Sequence, residues 1–189
     1  LEASFRRFAH YDYWEDAVRP SILADSGAHL LSFGMGERQT REIATRLAAG
    51  EAIEALTDLR GTCVLVDGTN LPKNAVACAS FQKVQEDKIA FARAFRMQYD
   101  EQDAVTGRAI IQQHGDNRYL VQNPPALPLE QEELDQVFAL PFQRMYHPSY
   151  EKLGGVKAIE EVEFSIMHNR GCFGGCNFCS IALHQGRSV

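Results

Sequence analysis

Three cysteines, Cys172, Cys176 and Cys179, fall within eight residues of the stretch "HNRGCFGGCNFCSIALHQGR", and only Cys63 and Cys78 occur elsewhere. Their spacing is C-x3-C-x2-C. Short loops of cysteine thiolates hold iron–sulfur clusters. Gly171, Gly174 and Gly175 let the backbone fold tightly around a bulky inorganic core. A cubane cluster takes four ligands, and three thiolates leave one iron open to a small molecule, as catalytic metal sites keep an open position. A second chemistry fits the same residues: three thiolates with His168 or His184 would make a Cys3His zinc site, with Phe178 as plain packing. A closed four-thiolate cluster would need Cys63 or Cys78. Both lie in apolar, strand-like stretches, "GTCVLV" and "AVACAS", and read as buried small hydrophobes.

The elements that must position this loop are legible on both sides. In "EVEFSIM", Val162, Phe164 and Ile166 alternate with Glu163, Ser165 and Met167, the period of a strand. "SIALHQ" after Cys179 starts a helix. The cysteines are thus expected on a strand-to-helix loop, where βα folds place their chemistry. Upstream, "SFRRFAHYDYWEDAVRPSILA" reads as helical until Pro20 interrupts it. "HLLSF" and "GTCVLV" read as strands, with a helix over Arg38–Ala49 and a short one in "EAIEALTDL" between them. That order suggests one unit of a parallel, helix-covered sheet. "VQEDKIAFARAFRMQYDEQDA" reads as one helix, with Ile89, Ala92 and Phe95 as its apolar stripe. "RAIIQQ" and "RYLVQN" flank "HGDN" as a hairpin. "EQEELDQVFAL" is a helix with an acidic first turn.

The cysteine loop, with aromatic Phe178 before its last thiol, resembles the signature loop of the radical S-adenosylmethionine (SAM) superfamily. "RRFAHYDYW", "GMGE", "VQNPPALPL", "YHPSYE" and "RGCFGGCNFC" followed by "HQGR" resemble the YgiQ-type uncharacterised family of that superfamily, over nearly the whole chain. The resemblance implies that Cys172, Cys176 and Cys179 ligate a [4Fe–4S] cluster, that SAM chelates the fourth iron, and that Phe178 sits near the adenine of SAM. It implies reductive cleavage of SAM to methionine and a 5′-deoxyadenosyl radical. It also implies an electron donor such as a flavodoxin or ferredoxin, and no particular substrate. The fold implied is α/β: a Rossmann-like N-terminal region followed by the first βα element of an incomplete (β/α) radical SAM barrel. The expected domains are residues 1–72 (part of the Rossmann-like domain), 73–158 (helix, hairpin and linker) and 159–189 (start of the barrel).

Composition narrows the classes. The chain has 189 residues, 45% hydrophobic and 23% charged, ordinary for a globular protein with a core. Its first residue is Leu1, and a complete barrel needs about 200 residues or more. A piece of a longer enzyme, inactive by itself, is therefore expected. The net charge of −6 gives no support to a nucleic-acid partner. No apolar run approaches the ~18 residues of a membrane helix, so no membrane partner is expected. Clustered thiols in odd number suggest the reducing cytoplasm rather than a disulfide framework.

Weaker candidates remain. "GMGERQ" sits where a dinucleotide loop would, but Gln39 occupies the third glycine's place and Glu37 would repel a phosphate. No cobalamin motif of the form Asp-x-His-x-x-Gly is present. His114 is expected to be exposed in the hairpin turn and His147 to be structural. Arg170 and Arg187 are each either surface residues or partners for an anion.

Overall fold

A computed structural model describes residues 2–176 and 178–189. Its backbone divides into two compact units. One comprises Leu1–Pro128 with Gly171–Val189, and the other Leu129–Arg170.

The first unit opens with α1 (Glu2–Phe5), then a hairpin of β1 (His10–Asp12) and β2 (Ala17–Arg19), then α2 (Ile22–Ser26). The continuous helical reading of this region is therefore wrong. Asp12 decides it locally: its Oδ1 accepts from the backbone N–H of Trp14 at 2.9 Å and of Glu15 at 3.2 Å, which turns the chain. Asp16 completes the reversal with a φ of 49°. Ser21 then caps α2 by accepting from Leu23 N–H, and Gly27 ends it at φ 68°.

Five further strands form one sheet in the order β3-β4-β7-β6-β5. They are β3 (Leu30–Ser32), β4 (Thr62–Asp67), β5 (Val76–Ala77), β6 (Ile110–Gln113) and β7 (Arg118–Gln122). The helices are α3 (Glu37–Ala48), α4 (Phe81–Glu86) and α5 (Lys88–Asp100). This mixed sheet with its helices is the α/β class expected, and it is consistent with a Rossmann-like region. In one detail the topology departs from expectation: β3 and β4 run antiparallel across α3, and only β5 and β6 are parallel. A further segment with a 3-10 turn at Ile53–Ala55 lies between α3 and β4. Gly61, just before β4, sits at φ 72°, and a Cβ there would lie 2.2 Å from Gln39 Nε2. That glutamine is buried and donates to Phe33 O, so it locks the end of β3 to α3 instead of leaving room for a phosphate.

The single long helix expected over residues 84–104 is two. Asp87 takes an extended conformation, and its carboxylate accepts from Ile89 and Ala90 N–H, capping α5. Its buried face is Ala90 and Ala94, whereas Ile89 and Phe95 are exposed. Two apolar clusters result. Phe8, Leu23, Leu31, Phe33, Cys63, Ile110 and Leu120 form one. Ala9, Val84, Ala90 and Ala94 form the other. Each large side chain buried in this way contributes roughly 1.5–3 kcal/mol.

The second unit holds α6 (Gln131–Phe138), a 3-10 helix at Pro148–Leu153 and α7 (Ile159–Val162). Glu130 and Glu133 form a reciprocal capping box at the start of α6. His147 is structural, as expected: its Nδ1 accepts from Ser149 N–H and caps the 3-10 helix. The guanidinium of Arg170 lies over the Phe138 ring at 6.0 Å.

The strand expected at Glu161–Met167 is absent. Glu161 and Val162 close α7, and residues 165–170 have no regular structure. Phe164 and Ile166 are 91% and 87% exposed. A strand needs ladder partners for its backbone groups, and among the described residues none pairs with this segment. The helix of the expected βα element does form, as α8 (Ile181–Gln185).

Candidate metal centre

The cysteine loop is built from its two ends inward. Gly171 has a φ of 75°, and a Cβ there would meet Ser188 O at 1.8 Å, so only glycine lets the loop's entrance press on its exit. Gly171 N–H donates to Gln185 Oε1 at 3.1 Å, and Cys172 N–H to Gly186 O at 3.1 Å. These two bonds draw the entrance and exit of the cysteine loop together. Within it, Cys179 N–H donates to Cys176 O at 3.2 Å.

α8 ties the loop to the N-terminal part of the same unit. Ser4 Oγ lies 2.8 Å from His184 Nδ1 and accepts from Gly34 N–H at 3.0 Å. Burial holds the His184 imidazole below its usual pKa, with the charge of Arg7 acting the same way. A neutral ring whose Nδ1 accepts the Ser4 hydroxyl proton fits both facts. Arg7 donates to Leu183 O at 3.4 Å. Arg187 lies over the Tyr99 ring at 4.8 Å, donates to the Tyr99 hydroxyl and reaches Phe173 O at 3.4 Å. Sequence reasoning missed Ser4, Arg7 and Tyr99. No local pattern links them to a segment so far away along the chain.

All five cysteines are free thiols. Cys63 is 0% exposed inside the first core cluster, and burial pushes its pKa, like that of Cys78, up to about 12. Cys63 is the buried hydrophobe expected, Cys78 is partly buried and packs against the core clusters, and neither is a thiolate at neutral pH. Cys172 is half-buried, while Cys176 and Cys179 are exposed. A Cβ at Gly174 would stand 3.3 Å from Cys172 Sγ and 3.9 Å from Cys176 Sγ. Two of the three sulfurs thus pack against Gly174, close enough to crowd any side chain placed there. Gly174 N–H also points at Cys172 Sγ, 3.4 Å away. Among the described residues no three potential ligands converge closely enough to hold an ion. Phe178 is 92% exposed.

The donor set nonetheless suits an iron–sulfur cluster. It offers soft sulfur ligands free of disulfides on a glycine-rich loop, two of them brought against the same glycine.

The family model "Radical SAM N-terminal" matches residues 1–165. This chain belongs to the radical SAM N-terminal family. The match ends before the cysteine loop and covers the sheet and its helices. Among curated relatives, a UPF0313 protein of Clostridium perfringens strain 13 is 51% identical over all of this chain and 28% of its own length. A UPF0313 protein of Clostridium botulinum strain ATCC 19397 is 48% identical, again over the whole chain and 29% of its own length. The chain therefore spans under a third of the relatives it matches. No solved structure matches it. Among the described residues, no helix is long and apolar enough to cross a membrane.

Proposed function

We propose that this radical SAM family chain is part of a cytoplasmic enzyme in which Cys172, Cys176 and Cys179 bind three irons of a [4Fe–4S] cluster. With SAM on the fourth iron, such a centre supplies the electron that cleaves SAM to methionine and a 5′-deoxyadenosyl radical for hydrogen abstraction from a substrate. The chain's own residues hold and orient this centre. The observation that carries the reading is the set of three free thiols on one pinched, glycine-rich loop, in a chain of this family. Gly171 closes the loop, Gly174 lets two sulfurs approach the backbone, and α8 and Arg187 fix the loop through Ser4 and Tyr99. Phe178, exposed on the loop, is the side chain offered to the adenine of SAM. An exposed cluster loop also suits electron delivery by a small carrier of the flavodoxin or ferredoxin kind.

The test is metal analysis of the full-length protein purified without oxygen. About four irons with matching acid-labile sulfide per chain are expected. A Cys172→Ala, Cys176→Ala, Cys179→Ala variant should lose both. Zinc in place of iron would overturn the proposal.

A further inference from the structure

Arg7 is 3% exposed and forms part of the wall of a cavity of about 360 Å³. Its guanidinium is held by neutral groups only. Nε donates to Gln122 Oε1, Nη1 donates to Ser4 O and Leu183 O, and one face lies 4.7 Å from the Phe33 ring. Among the described residues, no carboxylate pairs with it, and Nη2 donates to none of them. The ionisable group nearest in effect is Cys63, a neutral thiol at physiological pH. A buried cation without a counter-ion is costly to a fold, and this one borders empty space.

The rest of the cavity says what would fill that space. It lies between α1, β1, α5 and the start of α8. Phe91, Ala94, Phe95 and Val84 make one side apolar, and Ser4 and Gln98 add hydrogen-bonding groups. No acidic side chain and no lysine lines it among the described residues. His10, also on the wall, is kept neutral by burial. The volume is that of a small-molecule site. One positive charge in an apolar chamber balances one negative charge and leaves a dianion half-compensated.

We propose that this cavity binds a small organic monocarboxylate, its carboxylate on Arg7 and its apolar body against Phe91 and Phe95. The site is independent of the cysteine thiols, although Ser180 and Leu183 bring its wall to the residues that follow the loop.

The experiment is isothermal titration of the full-length protein with phenylacetate, its neutral analogue phenylacetamide, and inorganic phosphate. Saturable phenylacetate binding is expected, about tenfold or more tighter than the amide or phosphate. Arg7→Gln should abolish that preference. Because a buried arginine can also matter for folding, Ala94→Leu serves as a second variant. It fills the chamber without touching Arg7 and should weaken phenylacetate by about tenfold, with circular dichroism confirming the fold. Equal binding of acid and amide, phosphate binding as tightly as phenylacetate, no saturable binding, or wild-type affinity in a folded Ala94→Leu variant would each overturn the proposal. The triple cysteine variant should bind phenylacetate as the wild type does, so this site and the cluster stand or fall separately.

Discussion

Ser4 Oγ and His184 Nδ1 lie 2.8 Å apart although 180 residues separate them in sequence. The contact joins α1 to α8 and so ties the segment after the cysteine loop to the region that opens the chain. Ser4 is buried, and the same oxygen also takes Gly34 N–H.

Ser4→Ala leaves two partly buried groups, His184 Nδ1 and Gly34 N–H, without their partner. It should cost about 1–3 kcal/mol of unfolding free energy. Hydrogen exchange read by mass spectrometry should show the amides of α8 opening faster than in wild type. Unchanged protection of residues 181–185 would mean that the loop is fixed by other contacts.

His114 should make stability pH-dependent. It is not exposed in its turn, as the sequence suggested, but half-buried and stacked on Phe81 with ring centroids 5.5 Å apart. Burial lowers its pKa from 6.5 to about 4. Between these values the unfolded chain binds a proton that the folded chain refuses, so stability is full above 6.5 and is lost as pH falls toward 4. His114→Phe keeps the stacking and removes the titration. Urea unfolding across that range should show the wild type losing on the order of 1–2 kcal/mol more than the variant. Parallel pH profiles would contradict this placement of His114.

Thiol reactivity should separate the two groups of cysteines. In the reduced, metal-free chain, Ellman's reagent should modify Cys172, Cys176 and Cys179 quickly. Cys63 should react only on denaturation, and the partly buried Cys78 far more slowly than the loop thiols, given a thiol pKa pushed up to about 12 in both. Immediate reaction of all five would place Cys63 outside the core and reopen it as a ligand.

What the sequence made legible was local. The hairpin of β6 and β7, the helices α3, α6 and α8, and β4 follow from short-range periodicity and turn residues, and they stand where expected. The β1–β2 hairpin was misread because its aromatic residues mimic helical spacing. Asp12, two and three residues ahead of the N–H groups it binds, was the available signal. Asp87 was likewise a visible cap in the middle of an apparent helix. The alternation in residues 161–167 was real, but alternation offers a strand only its faces, and a ladder requires a neighbour. The three thiols were legible by spacing. The anchor of their loop was not, because Ser4, Arg7 and Tyr99 meet α8 and Arg187 only through the fold.

The most direct measurement is the EPR spectrum of the full-length protein, reconstituted anaerobically with iron and sulfide, reduced, and recorded with and without SAM. A Cys172→Ala, Cys176→Ala, Cys179→Ala variant should run beside it. The expected result is a reduced-cluster signal that SAM perturbs and that the variant lacks. A signal indifferent to SAM, or one that survives loss of the three thiols, would contradict the assignment of this loop.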